Sequence, residues 1–276
     1  MTIERMIAVT LAAAAAAPAA AQDAGAAAPA ATPDGRGDRI VTIGGGVQTL
    51  PRYPGARERQ ISFLPRFLLD RPTGPMRFRA PDQGTGFGLL GRDSAVDFGP
   101  AVQLRLSRRS GRDVPAAVPG VGFTVEAGGF VQAMLGESFR VRAEGRKGIG
   151  GHKGAVLDLS ADAIVRDRSD TTLFSIGPRL RLSDARYQRA YFGVTSPAAA
   201  ATGLPVYTPH GGIHAVGLAS GLTRKLGGPW GVYAYAGYDR LIDQAGRSPL
   251  VRRYGRRDEL SGGVALTYSF RMHLGF

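Results

Sequence analysis

The 276-residue chain has no cysteine, one tryptophan and only three lysines. Without cysteine there can be no disulfide scaffold, no thiolate metal site and no cysteine nucleophile. From residue 39 onward there is also no apolar run of the roughly eighteen residues that a membrane-spanning helix needs. Acidic residues are few, 22 Asp+Glu against 35 Lys+Arg, which leaves a formal charge of +13. With so few lysines, that charge is almost all arginine. Such a balance raises nucleic acid as a partner, but the N-terminus removes it.

Residues 1–21 place Arg5 in a short head, follow it with an apolar run from Met6 to Ala17, and end on Pro18 and Ala19-Ala20-Ala21. This is the head, apolar segment and small-residue site of a cleaved secretory signal, with cleavage expected before Gln22. An exported chain has no nucleic acid to meet. Residues 22–38 are mostly Ala, Gly, Pro and Asp with no apolar period, and read as a disordered periplasmic leader.

The body, residues 39–276, alternates with period two. In the last segment Val264, Leu266, Tyr268, Phe270, Met272, Leu274 and Phe276 share one face, while Ala265, Thr267, Ser269, Arg271 and His273 share the other. Only a strand sends successive side chains to opposite sides. The template recurs near 39–49, 59–69, 75–81, 95–107, 120–134, 137–147, 154–166, 171–182, 188–195, 212–226, 230–242 and 259–271. Segments of about ten residues suit tilted strands crossing the hydrocarbon layer. The fold expected is all-β: a transmembrane antiparallel up-and-down β-barrel of about 12 strands in the outer membrane of a Gram-negative cell, amid outer-membrane lipid and lipopolysaccharide. A soluble sandwich or lipocalin-type barrel would also alternate, but arginines recur on the polar face here, and a dry core does not hold them.

Two arginine groups are the candidate functional residues. The first is a charge ladder: Arg140, Arg142, Glu144 and Arg146, then Asp158 and Asp162, then Arg179 and Arg181. Opposite charges on neighbouring strands gain roughly 0.2–1 kcal/mol per pair, whereas an arginine facing lipid at the midplane costs about 2–4 kcal/mol. The ladder is therefore expected to face the lumen and brace the wall, with Arg66, Arg77, Arg79 and Arg105 leaving it net positive. The second group, Arg247, Arg252, Arg253, Arg256 and Arg257, crowds a long loop expected outside the cell among lipopolysaccharide phosphates and carboxylates.

Catalytic and cofactor motifs do not complete themselves. Gly86-Phe87-Gly88-Leu89-Leu90-Gly91 matches a dinucleotide fingerprint without its strand and helix. His210 and His214 lack a nearby carboxylate for a metal site. Ser196, Ser220 and Ser248 have no nucleophile elbow. No enzyme, metal or cofactor is expected.

Tyr191-Phe192-Gly193-Val194-Thr195, the stretch from Trp230 to Ile242 with Asp243 and Arg247-Ser248-Pro249-Leu250-Val251 beyond it, and the final Gly262–Phe270 strand resemble the MipA/OmpV family, the MltA-interacting outer-membrane proteins. Gly44-Gly45-Gly46-Val47 and Pro51-Arg52-Tyr53-Pro54-Gly55 resemble the family's opening strand and loop. The likeness covers most of residues 39–270, and the tail Arg271–Phe276 departs from it. It implies a small barrel without catalytic residues that serves as a scaffold between a murein hydrolase and a murein synthase. The arginine-rich lumen suggests another function, a porin-like channel for small anionic solutes.

Overall fold

Alternating segments of ten to sixteen residues make the wall, because each can satisfy its backbone on two neighbours while presenting one apolar face. The computed structural model describes residues 38–72, 74–90 and 94–273. The signal and leader assignments, 1–21 and 22–38, lie outside these residues except for Asp38. In chain order the elements are β1 (Asp38–Pro51), β2 (Arg59–Asp70), a short β3 (Thr85–Gly86), β4 (Val96–Arg105), β5 (Thr124–Leu135), β6 (Phe139–Gly150), β7 (Ala155–Arg166), β8 (Thr172–Ser183), α1 (Ala185–Phe192), α2 (Ser196–Thr202), β9 (Gly212–Gly227), β10 (Trp230–Leu241), α3 (Asp243–Arg247), α4 (Pro249–Tyr254) and β11 (Asp258–His273).

All eleven strands form one antiparallel sheet in the order β2-β1-β11-β10-β9-β8-β7-β6-β5-β4-β3. The first and last long strands pair along their lengths, from Asp38↔His273 to Thr49↔Gly262, as in a barrel closed by its terminal strands. β2 and β3 are the two ends of this order, and residues 71–84 lie between them in the chain.

The faces follow the period-two pattern. Ile61, Phe63 and Phe67 of β2, Phe174 and Ile176 of β8, and Val264, Leu266, Tyr268 and Phe270 of β11 are exposed, while Ala265 and Thr267 between them are buried. A continuous apolar exterior is what lipid requires. Among the described residues no helix is long and apolar enough to cross a membrane. Trp230 packs edge-on against Tyr268 with centroids 5.1 Å apart, forming part of an aromatic girdle near the short Gly228-Pro229 turn. At the end where β1 begins and β11 finishes, the turns 136–138, 167–171 and 228–229 are short, and 71–84 and 87–95 are longer. At the opposite end the connections 52–58, 106–123, 184–211 and 242–257 are long, and only 151–154 is short. Short periplasmic turns and long outer loops orient the barrel.

Two segments expected to be strands are not. Residues 188–195 fall mostly in α1, which Asp184 caps by accepting a hydrogen bond from the Tyr187 amide. Tyr187 and Tyr191, and Gln188 and Phe192, are each four apart and all buried, so the pattern is one helix face rather than alternation. Residues 75–81 have no regular structure and join no ladder; Pro75 and Pro81 bracket them and cannot donate.

Candidate functional site

On β6 the outward Phe139 and Val141 are exposed, and the alternate positions Arg140, Arg142, Glu144 and Arg146 are buried. Facing residues on β7 and β8 complete the inner wall: Arg140 lies opposite Asp162, Glu144 opposite Asp158, and Asp158 opposite Arg181. Arg140 reaches Asp162 at 2.7 Å and Arg179 reaches the same carboxylate at 2.8 Å. Arg146 bonds Asp158 at 2.5 Å and also Glu144, which Arg142 holds at 2.5 Å on its other oxygen. Arg181 completes the set, 3.4 Å from Asp158. The eight ladder residues face inward in two paired groups, which Asp82 joins into one network by binding both Arg179 and Arg181.

Three further carboxylates belong to it. Glu126 on β5 is fully buried and accepts from Arg105, from Arg146 at 3.0 Å and from His152 at 2.9 Å. Asp239 on β10 holds Arg181 at 3.0 Å. Asp82 belongs to no strand and binds Arg179 at 2.8 Å and Arg181 at 3.0 Å. Alternation within β5 and β10 could have placed Glu126 and Asp239. No periodic signal marks Asp82.

Asp82 lies on the segment 71–84, which leaves β2 at the periplasmic end and enters the lumen. Its lower part is held at the 167–171 turn, where the Met76 amide donates to Asp170 and Arg166 reaches the Met76 carbonyl. Higher up, Arg140 stacks on Phe78 at 4.5 Å and donates to Gln83 at 2.7 Å. The Gly84 amide donates to Glu144 at 3.0 Å, and a Cβ at Gly84 would collide with that carboxylate. Between this segment and the wall the cavity lined by Asp82, Gln83, Arg142, Glu144 and Asp158 is about 20 Å³, room for about one water.

Of the remaining inner arginines, Arg66 stacks over Tyr233 at 3.7 Å and Arg79 donates to the Gly84 carbonyl. The lumen that the sequence suggested to be net positive is packed: Asp82, Glu126 and Asp239 add carboxylates to the ladder, while Arg66 and Arg79 rest on a ring and a backbone carbonyl.

The outer mouth is covered as well. Tyr53, Val118, Val121, Tyr187, Phe192, Val194, Leu241 and Leu250 form one apolar cluster drawn from all four long outer loops and the tops of the strands. Burial pushes the Tyr187 phenol well above its ordinary value. Polar clamps fix the loops. Tyr53 donates to the Asp113 carbonyl at 3.0 Å, Ser248 donates to the Phe192 carbonyl at 2.7 Å, and the Gly55 amide donates to Glu259 at 2.5 Å.

The second arginine group sits on the outside of this cap. Arg247 pairs with Asp243 one helical turn away, Arg252 and Arg253 are exposed on α4, Arg256 is exposed, and Arg257 is half-buried. His210 is exposed and His214 buried, and no cluster of three or more metal-ligating side chains occurs among the described residues.

Solved structures that resemble the chain include an outer-membrane channel from Pseudomonas putida F1, 7% identical over 87% of this chain and 100% of that one, with a TM-score of 0.42. The KdgM porin is 10% identical over 84% and 99% of the two chains, with a TM-score of 0.29. A bacterial polysaccharide outer-membrane secretin is 11% identical over 84% and 98%, with a TM-score of 0.38. None of the curated proteins matches. The family model of the MltA-interacting protein MipA, in contrast, matches residues 43–270, nearly the whole described barrel. The chain, an outer-membrane β-barrel, belongs to the MipA family.

Proposed function

We propose that this protein is a non-enzymatic barrel that anchors murein-remodelling enzymes to the outer membrane, and that it does not conduct solutes. The observation that carries the reading is the filled lumen: residues 71–84 are tied to the wall through Asp82, Gln83 and Gly84 beneath an apolar outer cap. A channel needs sites that a solute can enter and leave. Here the ladder arginines and Arg105 are engaged by carboxylates of the same chain, and Arg66 and Arg79 are held by the Tyr233 ring and the Gly84 carbonyl. The family description names MltA as the interacting protein, which supports a murein hydrolase as one partner, with a murein synthase as the second. The short turns 136–138, 167–171 and 228–229 face the compartment that holds those enzymes.

Two measurements test the two halves of the proposal. Folded protein in planar bilayers is expected to be silent, and stable anion-preferring steps would overturn the non-conducting reading in favour of a pore. Affinity capture of the full chain from solubilised envelopes is expected to enrich a murein hydrolase or synthase, and a capture containing neither sinks the anchoring role.

A further inference from the structure

Outside the lumen lies a second group of basic side chains with a different character. A cleft of about 430 Å³ opens on the outer face between the 106–123 loop, the 151–154 turn and α1, lined by Arg108, His152, Lys153, Arg186, Arg189 and Thr195 among others. No aspartate or glutamate lines it. The lumen ladder pairs its arginines with carboxylates. Here, among the described residues, Arg108, Lys153, Arg186 and Arg189 form no salt bridge.

The floor is buried and hydrogen-bonded. Arg108 and Val121 exchange backbone hydrogen bonds at 2.8 Å. Arg108 is 2% exposed, and its guanidinium donates to the carbonyls of Tyr191 (2.6 Å), Ala190 (2.8 Å) and Pro119 (3.0 Å), while its Nε has no partner. The rings of Tyr53 and Tyr191 face the guanidinium at 5.6 and 5.7 Å, and among the described residues no carboxylate lies within salt-bridge reach of it. Beside it His152 is also buried. Its Nδ1 accepts from the Gly154 amide at 3.0 Å, so Nε2 carries the proton and donates to Glu126. The same turn holds Lys153 at φ +52°, a conformation that costs a non-glycine residue energy and is kept where the surroundings enforce it. Lys153, Arg186 and Arg189 are exposed at the rim.

From these observations we propose that the cleft is a binding site for an acidic sugar, its phosphate or carboxylate held by Lys153, Arg186 and Arg189 over the Arg108 floor. Guanidinium forks and an ammonium suit those anions. The volume lies in the range that takes a small molecule, and the small residues Gly120, Gly151 and Gly193 leave its walls open to a hydroxylated ring. One chemistry has two sources here: a phosphosugar borne by lipopolysaccharide, or a free acidic saccharide outside the cell.

The test uses the full chain and two arms. In the first, protein in detergent micelles is titrated calorimetrically with glucose 6-phosphate and with glucuronate, with glucose as the neutral control. In the second, protein in phosphatidylcholine vesicles is assayed for capture of added rough lipopolysaccharide. Binding in either arm is expected to fall roughly tenfold or more in the triple variant Lys153→Gln, Arg186→Gln, Arg189→Gln, as loss of charge-assisted hydrogen bonds requires. It is expected to persist in the control variant Arg57→Gln, Arg59→Gln, two exposed arginines outside the cleft and outside the 243–258 loop. These side chains are exposed, and heat-modifiable gel mobility verifies that each variant folds. Charge-dependent binding of the soluble sugars assigns a free saccharide, and charge-dependent binding of lipopolysaccharide alone assigns the lipid-borne source. Absence of binding in both arms, equal binding of glucose, or a triple variant no weaker than the control overturns the site.

Discussion

Glu126 shows what a single buried carboxylate does in this barrel. Three donors converge on it, Arg105 from β4, Arg146 from β6 and His152 from the turn above β6. Replacing it with glutamine keeps the shape but takes from Arg105 its carboxylate and leaves Arg146 with Glu144 and Asp158. Breaking a buried pair from one side typically costs about 3–5 kcal/mol, so Glu126→Gln is expected to lower the urea midpoint of the folded barrel by a corresponding amount. An unchanged midpoint would mean that water already neutralises the pair. Asp184, outside the wall, makes a pH prediction. Partial burial works to raise its pKa, but the amide hydrogen bond from Tyr187 and the nearby Lys147 charge outweigh that and leave it below its ordinary value. The cap's contribution is then complete above the unfolded carboxylate pKa of about 3.9 and is lost as pH falls through the lower folded value. Acid should fray α1 in wild type, and amide exchange of 185–192 should lose this acid dependence in Asp184→Asn.

Among elements, the 71–84 segment is the most consequential. It has no ladder of its own, and its place in the lumen rests on side chains, chiefly Asp82 on Arg179 and Arg181. Asp82→Ala is expected to free it, so that trypsin cuts after Arg77 or Arg79 in micelle-held protein while the wild type resists. Equal resistance would show that Gln83 and Gly84 suffice to hold it. The outer cap is a separate packing problem. Phe192 is fully buried among residues from several loops, and a Phe→Ala change at such a site costs about 3–5 kcal/mol. Phe192→Ala should expose 184–211 to proteolysis while leaving the far-ultraviolet β signal intact.

How legible each element was in the sequence follows its source of order. β6 and β11 were readable with their faces, because lipid on one side and ions on the other impose strict alternation over many residues. Arg140 and Arg179 could be aimed inward on energy alone. Residues 188–195 misled because a short stretch rich in aromatics fits both periods, and the deciding feature, the Asp184 cap with its packing against other loops, lies outside the local pattern. Residues 75–81 alternate well enough, yet their bracketing prolines withhold ladder donors, and nothing local says that the segment turns into the lumen.

For the whole molecule, the apolar exterior defines the solvent. Val264 is exposed midway along β11 between lipid-facing neighbours, and Val264→Arg should destabilise the vesicle-inserted barrel by about 2–4 kcal/mol, measured by urea titration in phosphatidylcholine vesicles. An effect near zero would place that belt outside the hydrocarbon layer.

The amino-acid sequence by itself determined the all-β class, the direction of each long strand's faces and the inward course of the ladder arginines, because those depend on neighbours two residues apart and on the cost of charge in lipid. Tertiary structure alone decided what the arginines are for. Arg179 meets Asp82 across 97 positions of sequence and Arg181 meets Asp239 across 58. Pairings at such separations are set by how the sheet curls and where a segment without regular structure comes to rest, and no local periodicity encodes either.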